Sequence, residues 1–213
     1  MRIPYLFLSI FLFAFVSSSL AQGSEYFMNP SFEDTSSVGK APRGWFDCNF
    51  SDESPVDVHD SKSEFFGVME TAADGQSFVG MVTRDNNTYE GISTRLLKPL
   101  QADSTYRLTV KLKQSPVYTS ILHRSSDPIN YLSPVRFKIW GGSSYCNQAI
   151  LLEEYDAEQV EIWTELTFYI NPEIKIPFIG LYATHPASRY DNGHILIDDL
   201  QLVKVDPFTL EER

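Results

Sequence analysis

The sequence predicts an all-β chain folded as a two-sheet antiparallel sandwich. Three observations predict it. Short apolar segments are punctuated throughout by Gly, Pro, Asn and Asp. Several of those segments alternate apolar and polar residues with period two. Helical periodicity is almost absent; only residues 155–162 suggest a turn or two.

Residues 1–21 stand apart from the fold. Arg2 gives a positive start, an apolar run follows from Tyr5 to Val16, and Ser19-Leu20-Ala21 fits a small-x-small cleavage site. This reads as a signal peptide, too short for a comfortable membrane span, and no second hydrophobic stretch follows it. The mature chain is expected to be secreted or held at the cell surface. Residues 22–205 are expected to form one domain, large enough to bury a core unaided. Residues 206–213 are expected to be a short polar tail.

Taken in order, the expected strands begin at 65–71, 77–84 and 90–96. Residues 105–113 give the clearest alternation: Tyr106, Leu108, Val110 and Leu112 face one side, Arg107, Thr109, Lys111 and Lys113 the other. In 135–140, Val135, Phe137 and Ile139 point inward and Trp140 falls on the Arg136/Lys138 side. Leu166, Phe168 and Ile170 mark another strand, with Trp163 in the opposite register, and 177–183 a further one. Residues 194–205 include Ile195-Leu196-Ile197, apolar on both faces, which places that strand mid-sheet. Two long loops remain, 46–63 and 115–133, and long loops in compact domains are usually functional or disordered. They carry His59, Tyr118, His123 and Tyr131.

The net charge of −11 argues against nucleic acid and anionic membrane surfaces, both of which want Lys/Arg clusters. The two cysteines, Cys48 and Cys146, suggest one disulfide in an exported chain, although spacing alone does not show that they meet. Catalytic signatures are lacking: there is no nucleophile elbow, no His-Glu-x-x-His, no phosphate loop and no dinucleotide fingerprint. Asp57-Val58-His59-Asp60 could in principle bind a metal or move protons, but a lone Asp-x-His supplies too few ligands, and a solvated loop histidine is expected. Two Asn-x-Ser/Thr sequons, at Asn49 and Asn86, matter only in a glycosylating host.

Asn29-Pro30-Ser31-Phe32-Glu33 with Pro42-Arg43-Gly44-Trp45, and the closing Ile195-Leu196-Ile197-Asp198-Asp199-Leu200, resemble the end motifs of galactose-binding-like carbohydrate-binding modules. Segments such as Pro55–His59, Asp74–Asp85 and Val135–Gly142 with Cys146 also resemble an uncharacterised family of bacterial cell-surface domains of that fold. The resemblance implies an all-β jelly roll and a non-catalytic module. Its expected partner is carbohydrate or, alternatively, a cell-envelope protein; a glycan hydrolase is a third reading. It also implies a structural calcium held by Glu33 and one of Asp198/Asp199. Asp199 is preferred because it shares parity with Ile195 and Ile197. Sugar sites stack aromatic faces and flank them with polar groups, so Trp140, Tyr89, Tyr118 and Tyr131, with Arg84, Asp85 and Arg136, are the candidate ligand residues. Trp45, after a glycine at a strand start, is expected in the core.

Overall fold

A computed structural model describes residues 25–121, 127–158, 160–186 and 190–206. The expected signal peptide, His123 and the tail from 207 onward lie outside the described residues. Among the described residues, twelve strands follow in chain order: β1 (Phe46–Asp47), β2 (Asp57–Asp60), β3 (Ser77–Thr83), β4 (Gly91–Leu100), β5 (Thr105–Lys113) and β6 (Thr119–Ile121). They continue with β7 (Pro128–Asn130), β8 (Val135–Gly142), β9 (Ile150–Ala157), β10 (Thr164–Ile170), β11 (Ile176–Thr184) and β12 (Gly193–Val205).

Two five-stranded antiparallel sheets form a jelly-roll sandwich, as the sequence predicts. Sheet one runs β1-β4-β11-β8-β9 and sheet two β10-β5-β12-β3-β2; a small hairpin, β6-β7, stands outside both. The core lies between the sheets because alternation points one face of each strand inward. Leu108 and Val110 of β5, Ile195 and Ile197 of β12, and Val79 and Met81 of β3 meet Phe137 and Ile139 of β8 and Ile179 and Leu181 of β11. Each such side chain stabilises the fold by about 1.5–3 kcal/mol. β12, apolar on both faces, is the middle strand of sheet two. Trp45 is in the core, between Phe27 and Phe32, with its indole N–H donating to the Asn29 carbonyl at 2.9 Å.

Sequence expectation and structure part at four places. Residues 65–71 hold a short 3-10 turn, Phe65–Gly67, rather than a strand, because Glu64, Phe66 and Gly67 take positive φ. Residues 150–157 form β9, where a little helix was expected from 155 onward; pairing along the edge of β8 overrides the weak local preference. The loop 46–63 contains β1 and β2, each an edge strand. The loop 115–133 folds back as β6-β7 over the outer face of sheet two, where Tyr118 and Tyr131 join Phe78, Val82 and Leu196 in a second apolar cluster. Trp163 lies beside this cluster, edge-on to Phe78, its N–H donating to the Thr71 carbonyl at 2.8 Å.

Candidate functional site

The seven expected ligand residues do not converge on one site. Trp140 and Arg136 lie on the outer face of sheet one, where the ring of Tyr89, from the turn between β3 and β4, meets Tyr182. Arg84, Tyr118 and Tyr131 line a pocket on the other side of the molecule, and Asp85 is exposed in the turn between β3 and β4. Tyr118 and Tyr131, expected as ligand residues of the long loop, are buried, 2% and 4% exposed, because the hairpin packs them against β3 and β12.

On the outer face of sheet one, Phe178, Gly180 and Tyr182 of β11 lie opposite Gly142, Trp140 and Lys138 of β8. Gly91 and Gly180 flank Tyr182 closely; a Cβ on either would run into its ring. The glycines therefore let the Tyr182 ring lie down on the sheet, where it is buried and meets Tyr89 edge-on at 6.4 Å. Trp140 is half-buried, and its indole N–H has no acceptor among the described residues. Arg136 is held by Asp156 of β9 through two bonds of 2.6 and 2.8 Å, which satisfies its guanidinium across the strand pair rather than toward a ligand.

The same sheet carries a groove of about 860 Å³ at its β1–β4 side. Phe46, 55% exposed, and Tyr145, 45% exposed, form an aromatic wall with ring centroids 5.2 Å apart. Tyr145 also meets Phe178 edge-on at 4.8 Å. Arg95 and Lys175 supply polar groups, and Met28 and Leu97 complete the apolar lining. The Cys48–Cys146 disulfide, Cα atoms 5.3 Å apart, sets this wall, because Phe46 and Tyr145 lie two and one residues before its halves. Sequence reasoning missed Phe46 and Tyr145. Their nearness to the two cysteines was the signal that could have found them.

The outer face of sheet two is differently built. His59, expected in a solvated loop, lies on β2 and is fully buried, stacked on Phe78 at 5.5 Å. Neither of its ring nitrogens has a partner among the described residues. Burial first, and the nearby His194 second, push its pKa down to about 4. His194 is likewise buried, with a pKa of about 4. Its Nδ1–H donates to the Tyr131 carbonyl and its Nε2 accepts from the Ser115 amide at 2.8 Å, so it is a neutral, structural imidazole. The buried Asp57 accepts from the Tyr118 hydroxyl at 2.6 Å and from the Gly39 amide at 2.8 Å. Burial still raises its pKa. Glu90 is buried against Arg84, and burial carries its pKa well above the usual carboxylate range.

The residues expected to hold calcium have partners within the chain. Asp199 takes a positive φ in a bulge between Asp198 and Gln201, which breaks the parity it would share with Ile197, and it pairs with Lys111 at 2.8 Å. Glu33 accepts amides from Gln76 and Ser77 at 2.8 and 3.2 Å. Asp198, fully buried, accepts amides from Ala73, Asp74 and Asp199, with a pKa pushed up to about 7 by burial. N–H donors thus reach Glu33 Oε1 and both carboxyl oxygens of Asp198. Among the described residues no three His, Cys, Asp or Glu side chains converge on a metal position.

No family model and no curated protein match this chain. Solved structures do. The K2 cleaved adhesin domain of Lys-gingipain is 12% identical, with 82% of this chain and 96% of that one covered and a TM-score of 0.51. The K1 adhesin domain from Porphyromonas gingivalis W83 is 12% identical, covering 83% and 96%, at 0.50. A xylan-binding domain from Paenibacillus barcinonensis is 15% identical, covering 83% and 92%, at 0.43. At these identities the likeness is one of fold alone: the two-sheet antiparallel jelly roll shared with the two adhesin domains.

Proposed function

We propose that this protein is an extracellular carbohydrate-binding module, with the glycan lying in the groove of sheet one against Phe46 and Tyr145. The observation that carries the reading is that exposed aromatic wall beside Arg95 and Lys175 in an open groove. Pyranose rings present C–H faces that stack on aromatic rings, while their hydroxyls take hydrogen bonds from flanking polar groups. An open groove suits the interior of a chain. The disulfide supports an oxidising, extracellular setting. Among the described residues no helix is long and apolar enough to cross a membrane.

The test is affinity electrophoresis against xylan, β-glucan, mannan, galactan and pectin. At least one polysaccharide should retard the folded protein, and Tyr145→Ala should weaken the retardation. Unretarded migration through the whole panel would overturn the reading.

A further inference from the structure

We propose a second binding site on the opposite side of the molecule: the pocket on the outer face of sheet two, lined by Asp57, Arg84, Glu90, Tyr118 and Ser120, takes a single neutral hydroxylated ring. The pocket encloses about 180 Å³. That is well below the ~300–1,000 Å³ of sites for drug-sized ligands, and it suits one pyranose-sized ring rather than a chain.

The polar groups of the pocket select the charge of the occupant. Asp57 and Glu90 are buried carboxylates, and Glu53 adds a third, 3.4 Å from Arg84 Nε. An anionic ligand would meet the carboxyl groups of Asp57 and Glu90, which line the pocket. A cation would meet the guanidinium of Arg84. A hydroxyl group both accepts and donates, so it suits a site holding both signs. Arg84 Nη2 is spent on Glu90, but its buried Nη1 has no acceptor among the described residues. A buried donor left unpaired costs about 1–3 kcal/mol, which a ligand oxygen there would recover. Phe66, stacked on Tyr118 at 5.0 Å and 8°, gives an apolar surface for the C–H face of a ring.

The site is also rigid. Glu53 accepts from Asn86 at 2.7 Å and from the Thr88 hydroxyl at 3.1 Å, tying the loop before β2 to the β3–β4 turn. Tyr118 is fixed by Asp57, and the Glu90 carboxylate accepts the Val82 amide at 3.0 Å. Little ordering cost remains to be met on binding. The pocket shares none of its lining residues with the sheet-one groove, so it stands whether or not that groove binds glycan.

The probes are the methyl glycosides of glucose, galactose, mannose and xylose, with methyl glucuronate and glucosamine as charged counterparts. Each is titrated into the isotope-labelled protein while the Arg84 Nε–H and Ser120 amide signals are followed by NMR. At least one neutral glycoside should give a saturable shift at millimolar concentration, and both charged sugars should bind at least fivefold more weakly. The shift should persist in Tyr145→Ala and vanish in Ser120→Phe, which fills the pocket; Ser54→Trp serves as a second block at its rim. A panel without a saturable shift, charged sugars binding as well as neutral ones, or a shift that survives both blocking variants would overturn the proposal.

Discussion

Phe46 and Tyr145 sit 99 residues apart in the sequence, yet their rings lie 5.2 Å apart beside the Cys48–Cys146 disulfide. The bond that closes the loop also composes the aromatic wall. Replacing both cysteines by serine should therefore have two effects. Closing a loop of this length, with its ends 98 residues apart, is worth about 4–5 kcal/mol on a chain-entropy account, so the melting temperature should fall by many degrees. Polysaccharide retention should weaken as well. Calorimetry and affinity electrophoresis on the double variant check both; unchanged retention would separate the bond from the groove.

Tyr145 is 45% exposed, so Tyr145→Ala should change stability by less than about 0.5 kcal/mol. Loss of one stacking ring should cost about 0.5–1.5 kcal/mol of binding, up to roughly tenfold in affinity. A urea titration beside an isothermal titration with the best polysaccharide reads the two quantities separately.

Tyr118→Phe removes the donor to Asp57 and leaves that buried carboxylate short of one bond. The expected cost is about 1–3 kcal/mol of stability. Chemical denaturation should show the midpoint falling with an unchanged slope; an unaltered midpoint would mean that solvent reaches Asp57 as readily as Tyr118 does.

His59 and His194 make the fold acid-sensitive. Both pKa values are held at about 4, against 6.5 for a free histidine, so the unfolded chain binds these protons first as pH falls. Stability is complete above pH 6.5 and is lost as pH drops toward 4, by about 3 kcal/mol for each histidine. Asp198 works the other way. Its pKa of about 7, against 3.8 when free, means that its contribution is complete below pH 3.8 and is lost as pH rises to 7. Asp57 and Glu90, whose pKa values burial also raises, act in the same sense as Asp198, so the histidine share is read as a difference between variants. Going from pH 6.5 to 4, the melting temperature of His59→Leu should move upward relative to that of the unaltered protein. Parallel pH profiles of the two proteins would sink this account.

A chelator should leave the melting temperature unchanged. Glu33 Oε1 and both oxygens of Asp198 already accept amide donors, and Asp199 pairs with Lys111. A fall of several degrees in EDTA, restored by calcium, would show that the bulge rearranges around a cation.

The parts of the fold legible in the sequence were those where burial follows a strict period. β5, β8 and β12 alternate or run apolar in step with their place in the sheets, and Trp45 followed from its glycine. β9 was not legible, because Leu, Glu and Tyr in 151–155 hold no strand preference strong enough to declare an edge partner. Asp199 was misplaced because parity counts through a strand and a bulge interrupts the count. Tyr118 and Tyr131 were singled out as side chains but not as buried ones. The long-range folding back of β6-β7 leaves no local trace.

The short turn between β3 and β4 has a mechanical meaning of its own. Arg84 at its start and Glu90 at its end face the sheet-two pocket, while Tyr89 between them leans on Tyr182 of sheet one. Seven residues thus touch both sides of the molecule. Were a ligand on one side to shift the turn, thermodynamic linkage would require the effect to be equal in both directions. A double-mutant cycle pairing Tyr89 with Arg84 would read the size of that coupling directly.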